Sequence, residues 1–267
     1  MGLFTRKKIK PVHRPKEHPK PSKPAHKPVK HPVVKARPKP VHKPTKAPPK
    51  VARPAAVPKL LAPPKLLDER AWELLKAARV PAVPFMFVKK EADLPIALKK
   101  VGLPAILKVS GPMIIHKTEL GGIKTVMTED EAKAAFAALM KIKGADRVLV
   151  QKKMTGMEII IGAKSDPQFG HIVSIGLGGI YVELLKDVTF RIAPVGMDDA
   201  IAMLKELKGY EILAGARGQP AVNMQALADV LVKVSRFAVS EKVKEMDINP
   251  LFATAEGCWA ADVRIVK

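Results

Sequence analysis

The chain has 267 residues and a formal charge of +22, and the charge is concentrated at one end: residues 1–65 hold 19 Lys/Arg, one acid, 16 Pro and 5 His, a formal +18, while residues 66–267 carry only +4. A single cysteine, Cys258, excludes an intrachain disulfide and fits a reducing, cytoplasmic setting. No apolar run approaches the roughly 20 residues of a membrane span, and Met1–Arg6 matches neither a myristoylation signal, which wants Ser or Thr at position 6, nor a secretory leader.

Residues 1–65 lack the aromatics and periodic apolar positions that offset ordering entropy, so a disordered, Lys/Pro/His-rich tail is expected there. Proline recurs at intervals of no more than six residues from Pro11 to Pro64, which favours polyproline II and coil. Fully extended, such a tail would reach on the order of 200 Å at ~3.1 Å per residue. Its charge suits a spacer to a partner, or an arm that contacts nucleic acid, acidic membrane or acidic protein. It could not read bases, because no aromatics are interleaved for stacking. Residues 66–267 are expected to form one domain or two small lobes.

In that part, apolar residues at 67, 71, 74, 75 and 78 predict a helix over Leu66–Val80, stopped by Pro81 and Pro84. A short strand at Phe85–Val88, a helix at Leu94–Val101 with Pro95 in its first turn, and a strand at Pro104–Val109 follow. Ser110–Gly122 has no period, and loops of that length inside a compact domain are commonly functional. Strands are then expected at Gly122–Met127, Arg147–Gln151, Glu158–Ala163, His171–Ile175, Val182–Leu185 and Thr189–Ala193. The helices expected beside them are Glu129–Ile142, Met197–Leu207 and Met224–Ser240. A closing hairpin is expected from Val243–Phe252 and Cys258–Val266. Mixed strands and helices with hairpins favour α+β lobes over a doubly wound sheet.

The phosphate loop Gly-x4-Gly-Lys-Ser/Thr is absent, and Gly176-Leu177-Gly178-Gly179 lacks the third glycine and following helix of a dinucleotide fold. Four features carry possible chemistry. Lys108 interrupts an apolar strand and needs either an anion partner or an edge position with its head in water. His116, in the aperiodic loop, has the pKa range of a nucleophile or proton carrier; taken alone, it reads first as an ordinary surface-loop histidine. Gly176–Gly179 suits an anion-binding nest or a tight turn. In the C-terminal hairpin, a loop centred between Ala255 and Glu256 pairs residues whose numbers sum to 511, which sets Asn249 opposite Asp262 with Asp247 on the same face. Converging oxygens of that kind suit Mg²⁺; a polar sheet face with Asp247 paired to Arg264 is the alternative, and a bulge at Pro250 would shift the register.

Taken in order, Ala105–Val109, Ile114-Ile115-His116-Lys117-Thr118-Glu119-Leu120-Gly121-Gly122-Ile123, Val148–Gln151, Glu158–Gly162, Asp166–Gly170, Gly176–Glu183, Phe190–Pro194 and Asp247-Ile248-Asn249-Pro250 with Asp262 strongly resemble the β subunit of ADP-forming acyl-CoA synthetases. The resemblance covers residues 66–267 and leaves out 1–65. It implies an ATP-grasp fold of two α/β lobes, ATP/ADP and Mg²⁺ as cofactors, and the reaction acyl-CoA + ADP + phosphate ⇌ acid + CoA + ATP through phosphohistidine. It also implies a CoA-binding α subunit as partner, in an α₂β₂ assembly. Carried onto this sequence, it makes His116 the phosphohistidine, Asp247 its orienting carboxylate, and Asn249 and Asp262 the Mg²⁺ ligands. Lys108 becomes the phosphate-contacting lysine, Gln151 and Glu158 nucleotide contacts, and Gly178, Gly179 and Arg191 contacts of the travelling phosphate. Lys152-Lys153 departs from the acid that family members often carry nearby. The rival readings are a non-catalytic ATP-grasp relative and a polyanion-associated protein acting through residues 1–65.

Overall fold

The computed structural model describes residues 65–114, 117–179, 187–218 and 220–267. The tail expected over 1–65 lies outside these residues up to position 64, as do the strand expected at Val182–Leu185 and His116.

The described chain builds two sheets. The smaller lobe begins with β1 (Phe85–Val88) and α2 (Leu94–Val101), which follow the first helix α1 (Asp68–Ala77), and continues through β2 (Ala105–Ser110), β3 (Ile123–Val126), α3 (Glu129–Met140) and β4 (Arg147–Lys152). Its antiparallel strands lie in the order β1-β4-β2-β3, so β2 is central, and the edge position considered for Lys108 does not apply. Alternation divides the lobe. Ala105, Leu107, Val109, Val148 and Val150 form a core with Leu94, Leu98 and Phe136 of α2 and α3. Leu149, Phe85 and Phe87, on alternate positions, join the core of the larger lobe instead. The Trp72 ring of α1 lies 4.7 Å from that of Phe85. The small sheet thus has apolar packing on both faces. The start of α3 is capped locally: Thr128 Oγ1 accepts from the Glu131 N–H while Glu131 reaches back to the Met127 N–H.

The larger lobe contains β5 (Met157–Asp166), β6 (Gly170–Leu177), β7 (Val188–Ile192), α4 (Met197–Glu206), the short α5 (Tyr210–Leu213), α6 (Met224–Ser240), β8 (Glu245–Ala253), β9 (Cys258–Ala260) and β10 (Val263–Val266). Its sheet runs β10-β8-β5-β6-β7, with β9 also on β8. Ile159, Ile161 and Ala163 of β5 are buried in the core that includes Val230, Leu231 and Val234 of α6, while Glu158 and Lys164 point away from it. Cys258 is buried there and its burial pushes the thiol up to about 12.

The hairpin register is the one the loop centre dictates. Ala253 faces Cys258, Leu251 faces Ala260, Ile248 faces Val263 and Asp247 faces Arg264. Between these pairs the Asn249 N–H donates to Asp262 O (3.2 Å) and the Ala261 N–H to Pro250 O (2.9 Å), so Asn249 and Asp262 are opposite. The irregularity near Pro250 falls on the other side, against β5, where Ile159 faces Leu251 but Ile161 faces Ile248. Proline has no N–H to offer a ladder, so one neighbour must absorb the shift.

Two elements differ from expectation. β6 continues through Gly176 and Leu177, because a Cβ at Gly176 would meet Asp187 O at 2.6 Å; that glycine is a packing requirement inside a strand. The short α5 has no sequence period; the buried Asp187 carboxylate accepts from the Lys208 and Gly209 N–H groups just before it, both at 2.8 Å. Leu107 is fully buried in the smaller core. Leu107→Ala is expected to cost about 2–5 kcal/mol in denaturant unfolding, whereas Ile96→Ala, at a 62% exposed position, should cost no more than about 0.5 kcal/mol.

Candidate active site

The two lobes meet at a chain of alternating charges. Lys108, on β2, is nearly fully buried; its Nζ donates to Ala261 O (2.7 Å) and lies 3.9 Å from Asp262 Oδ2. Lys117, also buried, places its Nζ 3.0 and 3.3 Å from the two Asp262 oxygens and 3.5 Å from Asp68 Oδ2. Asp68, in the first turn of α1, accepts from Ser110 Oγ (2.8 Å) and Lys65 Nζ (2.9 Å). Beside this chain lies a cavity of about 370 Å³ whose lining includes Asp68, Lys117, Asp247, Asn249, Asp262 and Arg264.

Local sequence explains how Lys117 arrives there. Gly121 adopts a left-handed φ of +61°, which glycine takes without strain. The Gly122 N–H then returns to Lys117 O (2.7 Å) while Gly122 O receives the Val109 N–H (2.8 Å). A Cβ on Gly122 would stand 2.4 Å from Val109 Cγ1 and 2.8 Å from Lys117 O. The glycine pair therefore folds the loop flat against β2. The aperiodic segment expected at Ser110–Gly122 is the connection between β2 and β3, with His116 outside the described residues.

Burial and charge oppose one another throughout. Burial pulls the Lys108 ammonium below its ordinary pKa, and Lys117 adds to this while Asp262 and Asp68 oppose it. Burial acts the same way on Lys117, but there Asp262 and then Asp68 overcome it and raise the pKa. Burial pushes the Asp247 carboxyl up; Arg264, 3.8 Å away, opposes this, and the like charges of Asp262 and Glu245 reinforce it. The Asp247–Arg264 pairing weighed from sequence is thus present, although Arg264 lies closer to Glu245, at 2.9 Å.

The remaining sequence candidates do not all converge. Glu158, Gly178 and Gly179 line a second cavity of about 840 Å³ with Met157, Val222 and Ala253. The Gly178 N–H donates to Glu158 O (2.6 Å), and a Cβ there would stand 2.9 Å from the Glu158 backbone, so this glycine permits close approach of two strand ends. Gln151, on β4, is almost fully buried with its Nε2 unpartnered among the described residues. Arg191 lines neither cavity: on β7, the last strand of the sheet among the described residues, its guanidinium binds Glu206 and donates to Phe190 O (2.8 Å), away from the cavity of Gly178 and Gly179. Lys117, Asp68, Ser110 and Lys65 were not singled out from sequence. Lys117 sits in the very motif that carries the family resemblance; Asp68 reads locally as an ordinary helix-start acid.

Asp262, between β9 and β10, and Asn249, opposite it on β8, offer a carboxylate and an amide oxygen, and no cluster of three or more His, Cys, Asp or Glu among the described residues could hold a metal by itself. Two hard oxygen donors fit Mg²⁺, which completes its shell with water and phosphate oxygens. For Asp68, burial alone would raise the pKa; Lys117, Lys65 and Ser110 outweigh it and lower the pKa below its ordinary 3.8. A lowered folded value means a stabilising contribution complete above the unfolded pKa and lost as pH falls through the folded one. Asp68→Asn is therefore expected to lower the melting temperature at pH 7, with the gap to the parent chain starting to narrow below about pH 4 and closing only as pH falls through the lowered folded value, in a melting series from neutral to acid pH.

Residues 63–266 match the family model of the ATP-grasp domain. The chain is 41% identical over 211 residues to the β subunit of acetate–CoA ligase [ADP-forming] I of Pyrococcus furiosus, covering 75% of this chain and 91% of that subunit. It is 38% identical to 4-hydroxybutyrate–CoA ligase [ADP-forming] of Nitrosopumilus maritimus over 76% of this chain, but spans only 31% of that longer protein. Among solved structures, acetyl-coenzyme A synthetase 1 of Ca. Korarchaeum cryptofilum, in complex with coenzyme A and Mg-AMPPCP and with its phosphohistidine segment pointing towards the nucleotide-binding site, aligns with a TM-score of 0.67 at 35% identity. That alignment covers 76% of this chain and 92% of the other. The fold, the lysine-lined junction between its lobes and the extent of these matches agree: the chain belongs to the ATP-grasp family, among the β subunits of ADP-forming acyl-CoA synthetases.

Proposed function

We propose that the chain is the nucleotide half of a two-subunit, ADP-forming acid–CoA ligase, moving a phosphoryl group between ATP/ADP and a histidine relay. The observation that carries this reading is the Asp262 carboxylate held between Lys117 and Lys108 and set opposite Asn249. Phosphoryl transfer asks a protein mainly for positioning and charge neutralisation. Lys108 supplies a fixed cation at the centre of the small sheet; the triphosphate takes over the anionic role that Asp262 and Ala261 O fill towards it. Asp262 and Asn249 would hold Mg²⁺, which when bound neutralises charge on the phosphate oxygens. Asp247 orients the imidazole of His116. In the ATP-consuming direction a ring nitrogen of His116 forms the P–N bond as the bond from the γ-phosphorus to its bridging oxygen breaks and ADP leaves. Glu158 and Gln151 contribute to holding the nucleoside.

The CoA chemistry and the acid-binding site belong to a separate α subunit in this reading, consistent with longer relatives whose length this chain spans by less than a third. The assembly is cytoplasmic and α₂β₂. No helix among the described residues is long and apolar enough to cross a membrane.

Incubation of the purified chain with its α subunit, Mg²⁺ and ATP, followed by intact mass measurement at neutral to alkaline pH, is expected to show one acid-labile phosphoryl group on this chain. His116→Ala should abolish it. Asp262→Ala should slow its appearance by roughly two orders of magnitude, on the scale of losing an electrostatic stabiliser. A phosphoryl group that persists in His116→Ala would remove His116 from the relay.

A further inference from the structure

The geometry points to Asp68 as a positioning residue for metal binding: it is a second seat for the Lys117 ammonium, taken up when a divalent cation claims the Asp262 carboxylate. The inference rests on the reading of Asp262 and Asn249 as the metal-holding pair and adds residues that reading does not use.

Lys117 Nζ lies between two carboxylates, 3.0 Å from Asp262 Oδ1 and 3.5 Å from Asp68 Oδ2. A divalent cation on Asp262 competes directly with that ammonium for the same oxygens. Lys117 is buried, so expelling it without a counter-charge would leave an unpaired ammonium beside a dication. Asp68 removes the conflict. Its carboxylate is already within ion-pair range, and it is fixed, with Oδ1 held by Lys65 and Oδ2 by Ser110. A small displacement of one ammonium therefore exchanges partners without moving α1 or β2. The other carboxylate close by, Asp247, faces Arg264 across the strands. Lys117 O is also the acceptor that closes the loop through Gly122, so a retained side chain keeps that loop seated; the residue before it in sequence is His116. Without charge at position 68, Lys117 has Asp262 as its principal partner and opposes the metal.

The test uses the full chain and ADP binding by calorimetry, once with Mn²⁺ and once with EDTA, and reads the ratio of the two affinities, which cancels any loss common to both. Asp68→Asn is expected to lower the ratio by roughly tenfold or more, the scale of lost outer-shell partners of a metal. Lys117→Met added to that variant should restore it, because the competing cation is gone. Lys117→Met alone should raise the ratio above the parent, and this arm holds even where Asp68→Asn fails to fold. An unchanged ratio in Asp68→Asn, an equal loss with and without Mn²⁺, or no restoration by Lys117→Met would each overturn the assignment. Asp262→Ala separates the two readings. A ratio that collapses to near one there keeps the metal site standing while Asp68 is judged alone; a ratio that survives overturns both.

Discussion

The arrangement turns on one carboxylate. Asp262 lies on the larger lobe, yet the charges that neutralise it, Lys117 and Lys108, belong to the smaller one. A half-buried anion of this kind is tolerable only if it is paired, and the cations that pair with it are themselves too buried to stand alone. Each charge therefore makes the next one possible, from Lys108 through Asp262 and Lys117 to Asp68 and Lys65. The apolar packing of Trp72, Phe85 and Leu149 brings the lobes together without directional preference; the charge chain supplies the direction.

Such a junction suits phosphoryl chemistry because its interactions are exchangeable. A carbonyl oxygen and a carboxylate now satisfy the Lys108 ammonium. Phosphate oxygens offer the same kind of partner, and a divalent cation offers Asp262 what Lys117 offers it. The protein alone is in this sense self-saturated, and in the proposed function nucleotide with metal would replace these internal pairs. The burial that depresses the Lys108 pKa and raises that of Asp247 is the cost of keeping these groups at the site.

Much of this was legible in the sequence, for reasons that can be named. Helices such as Met224–Ser240 carry a strong apolar stripe, and the two glycines of the Lys117 loop stand where the backbone must turn and lie flat. The hairpin register followed from its loop centre alone, because a period of two leaves no freedom once the turn is placed; Pro250 did not disturb it, since the irregularity went to β5. Asp68 was not legible. It lies 42 residues from Ser110 and 49 from Lys117, and nothing in the pattern of α1 distinguishes a buried, triply engaged carboxylate from a solvated helix-start acid. Arg191 is the converse case: it sits in a motif of the family resemblance, and on β7, the last strand of the sheet among the described residues, it pairs with Glu206 of α4. Which strand ends converge on a cavity is a tertiary fact, and it separates Glu158, Gly178 and Gly179 from the Asp262 cluster.

A crystal structure of the chain with Mg²⁺ and AMPPCP tests the exchange at Asp262. The metal is expected on Asp262 and Asn249, a phosphate oxygen within hydrogen-bond distance of Lys108 Nζ, and Lys117 drawn to Asp68. Nucleotide bound elsewhere, with the Asp262–Lys117 pair intact and Lys108 still on Ala261 O, would contradict it.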